Sequence, residues 1–186
     1  MYYSKIHGHF NFEFLYEDMV NKFDSGSNFV EIGAYLGKST CFMMEKILMS
    51  GKDIRFSVVD NWIGHASDGV LAEEIKKFGD IFAIFNNNMN MAGVMDKLNV
   101  IRGDSAETAT IFQDKTLDFV FIDAAHDYIS VKKDINAWLP KMKSNSIIAG
   151  HDYGNAETQV KRAVDELLGN KIKVKENIWI YRIVDC

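Results

Sequence analysis

Short apolar runs alternate along this chain with stretches of helical periodicity, and this alternation limits the possible folds more than any other feature. The apolar runs predict five strands, at Asn28–Ile32, Ile54–Val59, Leu98–Arg102, Leu117–Ile122 and Ser146–Ala149. The intervening and following patterns predict helices at 39–50, 105–112, 128–142 and 157–168, with one or two more within 62–93. Such βα repetition is typical of a parallel sheet covered by helices on both faces.

The last part of the chain departs from this alternation. Ile172–Val174 and Ile178–Val184 alternate with a period of two around a turn near Glu176, which predicts an antiparallel hairpin. We therefore predict an α/β, Rossmann-like fold whose seven-stranded, mostly parallel sheet ends in a β-hairpin. This arrangement differs from the dinucleotide-binding fold with six parallel strands.

Composition and charge limit the classes of partner and the cellular location that we expect for the protein. The 186 residues are 47% hydrophobic, enough for one domain that spans 1–186. A net charge of −5 argues against nucleic acid as a partner, and no apolar run approaches the ~20 residues that span a membrane. Cys41 and Cys186 make neither a disulfide framework nor a CxxC metal site, which favours a cytoplasmic location.

A glycine-containing loop joins the first strand to the first helix, as Glu31-Ile-Gly33-Ala-Tyr-Leu-Gly37. Gly33 permits a tight turn and the close approach of a ligand, and the helix that follows presents free N–H groups. The spacing fits neither the GxGxxG dinucleotide motif nor the P-loop. The carboxylate of Glu31 would repel a pyrophosphate and attract a ligand ammonium group; a tight turn that binds nothing is the alternative.

Acidic residues also follow the next two strands. Asp60 ends the second strand, where a carboxylate can accept hydrogen bonds from both ribose hydroxyls. Asp104 follows the third strand and can accept one from an adenine amino group, although Asp at a helix N-cap is ordinary. These strand ends meet at one edge of a parallel sheet, which is where open α/β sheets bind ligands.

The chain resembles the class I S-adenosylmethionine-dependent methyltransferases from about Phe29 onward. They share the order of glycine loop, acidic strand ends and terminal hairpin. Phe121-Ile-Asp-Ala-Ala-His-Asp-Tyr128 and Ile147-Ile-Ala-Gly-His-Asp-Tyr153 are similar to motifs of the metal-dependent macrocin-type O-methyltransferases and the methyltransferase domain 24 group. The resemblance implies the class I sandwich and an S-adenosyl-L-methionine cofactor. The cofactor-binding residues it implies are Glu31, Gly33, Ala34, Gly37, Ser39, Asp60, Asn61, Trp62, Asp104, Ser105 and Asp123.

The same resemblance implies a divalent metal, Mg²⁺ or Mn²⁺, with Asp123, His151 and Asp152 as ligands. Asp123 and His126 are the implied catalytic residues, because His126 matches the position of the general base. The family usually has an acidic residue where this chain has His151, so whether His151 binds metal stays open. An imidazole ligand would favour Mn²⁺ over Mg²⁺. A metal-free role for Asp123, as a helix cap or cofactor contact, is the alternative.

These features predict a cytoplasmic enzyme that O-methylates a hydroxyl of a small molecule, of sugar or polyphenol type. Residues 28–186 would form the catalytic fold, and 1–27 an N-terminal lid or oligomerisation segment of a possible homo-oligomer. The alternatives are a metal-independent methyltransferase of the same fold acting on another acceptor, and a non-catalytic S-adenosylmethionine-binding module. The DNA amino-methyltransferases are disfavoured because the chain lacks their proline-containing loop after the fourth strand.

Overall fold

The computed structural model of the protein describes residues 1–64, 69–154 and 159–184, so that Glu157 and Cys186 lie outside the described residues. The strands are β1 Asn28–Ile32, β2 Arg55–Asp60, β3 Leu98–Arg102, β4 Leu117–Ile122, β5 Met142–Gly150, β6 Lys173–Lys175 and β7 Ile178–Arg182. The helices are α1 Glu13–Lys22, α2 Lys38–Ser50, α3 Gly69–Phe78, α4 Ile81–Met91, α5 Ser105–Thr108, α6 Tyr128–Trp138 and α7 Val160–Leu168. No helix in the described ranges has the length and apolarity to cross a bilayer.

All seven strands form one sheet in the order β3-β2-β1-β4-β5-β7-β6. The first five strands are parallel, and β7 runs antiparallel to both β5 and β6. The predicted α/β fold with a terminal hairpin is therefore confirmed. The strand order reverses between β1 and β4, and a crevice for a ligand opens at the carboxyl ends of such a pair.

Several element boundaries differ from the sequence prediction. The helix predicted over 128–142 ends at Trp138, residues 139–141 form a 3₁₀ turn, and Met142 already begins β5. Pro140 explains this difference, because it has no N–H with which to continue the helix. The helix predicted over 105–112 is α-helical only to Thr108 and continues as a 3₁₀ turn. The described part of 62–93 holds two helices, in agreement with the one or two predicted there.

The core consists of one apolar layer on each face of the sheet. Along β4, Phe119 and Phe121 point into the layer shared with α1, α2 and α4. Val120 and Ile122 point into the layer shared with α6 and α7. Because β4 is covered on both faces it is nearly all apolar, as buried parallel strands are.

The N-terminal segment is folded into the domain. Leu15 and Tyr16 of α1 are buried in the first apolar layer, and Phe12 packs at 4.4 Å between ring centroids against Phe121 of β4. Residues 1–27 therefore contribute to the core as well as to the cavity described below, and their role in oligomerisation stays a prediction.

Candidate cofactor cavity and metal centre

A cavity of about 330 Å³ lies at the carboxyl ends of β1, β2 and β4. Most of the residues predicted to bind cofactor line it, namely Gly33, Ala34, Ser39, Asp60, Asn61, Asp104, Ser105 and Asp123. Glu31, Gly37 and Trp62 are not among its lining residues in the described part of the chain. The sequence prediction missed another set of lining residues, which includes His7, Gly8, His9, Tyr35, Lys38, Ser130, Lys133 and Asp134.

The glycine loop lies directly against the chain that leaves β4. Gly33 has a φ of +87°, and a Cβ there would stand 1.9 Å from the backbone oxygen of Asp123. Only glycine allows both the left-handed backbone and this close approach. Gly33 therefore brings the end of β1 against Asp123 and closes one wall of the cavity.

Asp60 supports the loop from the end of β2. Its carboxylate accepts hydrogen bonds from the backbone N–H groups of Ala34 at 2.7 Å, Tyr35 at 3.0 Å and Trp62 at 2.7 Å. Burial raises the pKa of this carboxyl and the backbone hydrogen bonds oppose that rise. Asp60 therefore shapes the loop, and its contact with a ribose stays a prediction.

Glu31 lies beneath the loop with an exposed fraction of 1%. The Tyr16 hydroxyl donates to it at 2.8 Å, and the Thr40 hydroxyl donates to its other oxygen. Burial raises the pKa of Glu31 to about 7, while hydrogen bonds from Ser39, Thr40 and Tyr16 work in the opposite direction. The carboxyl thus ties α1 and α2 to β1, and its predicted contact with a ligand ammonium stays a prediction.

From the raised pKa of Glu31 we predict how the free energy of unfolding depends on pH. Between pH 4.5 and 7 the carboxyl ionises in the unfolded chain but stays protonated in the folded one, so its contribution to the free energy of unfolding falls as pH rises. Glu31→Gln mimics the protonated form. We therefore expect its free energy of unfolding to decrease by about 3 kcal/mol less than that of the wild type between these pH values. Urea unfolding across this pH range measures the difference.

The exposed Glu73, substituted by Gln, is the matched control, because it removes one charge without removing a buried carboxyl. If the unfolding free energies of Glu31→Gln and the wild type run parallel across this range, the buried carboxyl does not have a raised pKa.

Four ionisable side chains converge beside the cavity, after β4 and β5. The Nε2 atom of His126 lies 3.0 Å from Oδ2 of Asp152 and 3.6 Å from Oδ1 of Asp123. The Nδ1 atom of His151 lies 3.2 Å from the same Asp152 oxygen and 3.9 Å from the same Asp123 oxygen. Donor atoms of Asp123, His126 and Asp152 all lie within 4.8 Å of one another. The two carboxylates and the His126 imidazole can therefore reach one cation together, whereas His151, the histidine predicted as a ligand, is not a member of this group.

The four groups strongly influence one another. Hydrogen bonds to Asp123 and Asp152 raise the pKa of His126 to about 10. Burial alone would raise the pKa of Asp152, but His126 and His151 bring it far below its usual range. The two carboxylates therefore stabilise the charged form of the His126 imidazole, and the same negative charges would attract a divalent cation.

The other ring nitrogen of His151 has its own partner. Its Nε2 atom lies 2.9 Å from Oδ1 of Asn11, in the segment that precedes α1. Because the Asn oxygen is an acceptor, Nε2 carries the proton and Nδ1 faces the two carboxylates. Asn177 in turn donates to Oδ1 of Asp152 at 3.2 Å.

The cavity residues that the sequence prediction missed differ in whether the sequence carries a signal for them. Ser130, Lys133 and Asp134 recur at i, i+3 and i+4 on α6, and this polar face next to a strand end could have been recognised. His7, Gly8, His9 and Asn11 carry no such signal, because they reach the site from a distant part of the chain.

Comparisons with known proteins agree with this architecture. The model of the family Methyltransf_24, described as "Methyltransferase domain", matches residues 30–153. The uncharacterised protein y4gI of Sinorhizobium fredii is 24% identical over 123 residues, which is 66% of this chain. The chain spans only 13% of the length of that relative.

Solved structures of O-methyltransferases share the fold. The O-methyltransferase NovP is 18% identical with a TM-score of 0.70, covering 93% of this chain and 79% of its own. CalS11, a TDP-rhamnose 3'-O-methyltransferase, is 14% identical with a TM-score of 0.62, covering 93% and 77%. The O-methyltransferase from Bacillus cereus, in complex with S-adenosylhomocysteine (SAH), is 15% identical with a TM-score of 0.64, covering 98% and 86%. The family match over 30–153 contains the glycine loop and the two segments 121–128 and 147–153. The chain therefore belongs to the methyltransferase domain family Methyltransf_24.

Proposed function

We propose that the protein transfers the methyl group of S-adenosylmethionine to a hydroxyl of a small molecule, with the assistance of a divalent cation. One observation carries this proposal: Asp123 both lines the cofactor cavity and belongs to the cluster of carboxylates and imidazoles. An acceptor hydroxyl beside that cluster would therefore lie next to the methyl group, and proximity of this kind accounts for a large part of the barrier reduction in group transfer.

The donor set fits a divalent ion. Asp123 and Asp152 supply hard oxygen ligands, and an imidazole shifts the preference towards Mn²⁺ and heavier ions. His151 suits the role of third ligand because Asn11 holds its Nε2 atom, as the second partner of a metal-bound histidine usually does. When bound there, a divalent cation supplies positive charge that polarises an acceptor hydroxyl and offsets the two carboxylates.

His126 suits the role of general base. Its side chain is 31% exposed, against 15% for His151, although its Nε2 atom is buried against the two carboxylates. An alcohol is a weak nucleophile at neutral pH, and removing its proton to the His126 ring as the methyl group transfers makes it reactive. The carboxylates of Asp123 and Asp152 raise the pKa of His126 to about 10, and positive charge shared with these carboxylates would lower it towards the range of a general base.

The acceptor class is supported by the structural neighbours. CalS11 acts on a sugar nucleotide, and the O-methyltransferase fold recurs in a putative caffeoyl-CoA O-methyltransferase from Staphylococcus aureus. We therefore propose an acceptor of sugar or polyphenol type, in which neighbouring hydroxyls offer two oxygens to one cation.

The test combines calorimetry with turnover. We expect SAH to bind the purified protein, and expect a panel of sugar diols and catechols to yield a methylated product when Mn²⁺ or Mg²⁺ is supplied. If the protein binds neither S-adenosylmethionine nor SAH, S-adenosylmethionine is ruled out as the cofactor. Full turnover of an accepted substrate in excess EDTA would instead remove the cation from the proposal and leave the methyltransferase activity standing.

A further inference from the structure

The N-terminal segment passes over the cavity before it enters α1, and we call its residues 7–11 the strap. His7 contacts α3, which follows β2, whereas Asn11 contacts His151, which follows β5. Because the sheet order in this region is β2-β1-β4-β5, the strap crosses the carboxyl ends of β1 and β4, where the cavity lies. The first three residues of the strap line the cavity.

We propose that Glu74 of α3 is a positioning residue that holds the strap closed over the cavity through its contact with His7, so that the cofactor enters and leaves when this contact opens. We call the contact between Glu74 and His7 the latch. The inference rests on S-adenosylmethionine as the cofactor and is independent of the cation and of the acceptor.

Glu74 connects two different parts of the cavity wall. Its Oε2 atom accepts a hydrogen bond from the Tyr35 hydroxyl of the glycine loop at 2.7 Å, and its Oε1 atom accepts one from Nε2 of His7 at 3.2 Å. The Tyr35 hydrogen bond, with smaller contributions from His7, lowers the pKa of Glu74, so the group is a carboxylate at neutral pH. Glu74 is not among the described residues that line the cavity, so it acts on a ligand through the strap and the loop.

The strap is fixed firmly at its ends and weakly at the latch. Ile6 before it and Phe12 after it are only 3% and 2% exposed. The latch side chains, His7 and Glu74, are instead 56% and 34% exposed. An exposed pair of this kind contributes little to stability, so the strap can open locally at a small cost in free energy.

Two further contacts indicate which part of the strap moves. The Phe10 ring packs against Phe12 and Phe42, with centroids 4.7 and 5.0 Å apart, so the second half of the strap stays with the core. Gly8 has a φ of +132°, which few side chains tolerate, and its carbonyl accepts from the flexible side chain of Lys38 at 2.8 Å. The moving part is therefore the half that lines the cavity, with Gly8 as its hinge.

A latched strap changes the rates of cofactor exchange differently from a simple ligand contact. A ligand can enter a mostly closed site only through the open fraction, and a bound ligand leaves only after the strap opens. Weakening the latch enlarges the open fraction, so the association and dissociation rate constants both rise. A residue that only contacts the bound ligand changes mainly the dissociation rate constant.

The experiment measures the binding of SAH to the purified protein by stopped-flow tryptophan fluorescence. Trp62 is a suitable reporter, because its indole N–H donates to the Tyr35 carbonyl at 2.9 Å. We expect Glu74→Ala to raise both rate constants about fivefold, the upper end of the effect of an exposed ion pair. Glu73→Ala is the matched variant, because Glu73 lies on the same helix, is 74% exposed and pairs with Lys76, and both of its rate constants should stay those of the wild type.

Each alternative outcome overturns the inference. A rise in the dissociation rate constant alone would make Glu74 a ligand contact, and two unchanged rate constants in a variant that unfolds at the wild-type temperature would exclude the latch. If Glu74→Ala fails to fold, Tyr35→Phe decides, because it removes the hydroxyl that orients Glu74 and keeps the ring; both rate constants must then rise. If the wild type does not bind SAH at all, the cofactor itself is refuted, and the latch with it.

Discussion

Asp152→Asn is expected to lower turnover about a thousandfold while leaving the affinity for SAH unchanged. Asp152 contacts both His126 at 3.0 Å and His151 at 3.2 Å, so its charge holds the cluster together. It is not among the residues that line the cofactor cavity in the described ranges. Asn is the suitable replacement because Asp152 has a φ of +60°, a conformation that Asn tolerates better than Ala.

Three measurements on the same protein separate the causes. Steady-state kinetics reports turnover, calorimetry with Mn²⁺ and with SAH reports the two affinities, and thermal unfolding reports the fold. The exposed Asp114, which pairs with Lys141 at 2.6 Å, serves as the control when changed to Asn. If Asp152→Asn retains the activity and Mn²⁺ affinity of the wild type, the cluster is not a catalytic metal centre.

The second large effect concerns Gly33, where substitution by Ala should lower the free energy of unfolding by about 3–5 kcal/mol. Two penalties combine here: the left-handed φ of +87°, and a Cβ that would lie 1.9 Å from the backbone oxygen of Asp123. Backbone cannot move aside as a side chain can, so β1 and the β4 loop must separate. Urea unfolding measures the loss, and SAH affinity should fall with it because this contact forms one wall of the cavity.

Gly51→Ala is the control that separates the two penalties. Gly51 also has a positive φ, of +69°, but its Cβ would meet nothing within 4 Å. We expect it to lose only about 1 kcal/mol. A loss at Gly33 no greater than the loss at Gly51 would show that the close approach to Asp123 is not a constraint on the fold.

Much of the fold was predictable because its signals are local. The run Leu117–Ile122 is apolar enough to be a strand covered on both faces, and β4 has these same bounds. The period of two at Ile178 and beyond predicted the terminal hairpin, which is present as β6 and β7. The helix boundary near Pro140 was wrong because the helical pattern of apolar residues continues past the proline that ends the helix.

The candidate site was predictable only in part. The prediction of a methyltransferase domain is confirmed by the family match, and the residues at strand ends, such as Asp60 and Asp123, do meet at one edge of the sheet. Spacing cannot tell which way a side chain points. The structure shows that the Glu31 carboxyl lies beneath the loop among hydroxyl groups, and its contact with a ligand ammonium stays a prediction.

The sequence by itself determined the order of strands and helices, the glycine loop and the acidic strand ends, because these depend on neighbouring residues and on the period of the pattern. Only the tertiary structure decided that Asn11 holds His151, 140 residues further along, and that Asp134 of α6 lines the cavity. It also decided that His126 and His151 share the same two carboxylates. The physical reason is that contacts between distant segments depend on how helices pack on the sheet, and no local pattern of residues encodes that packing.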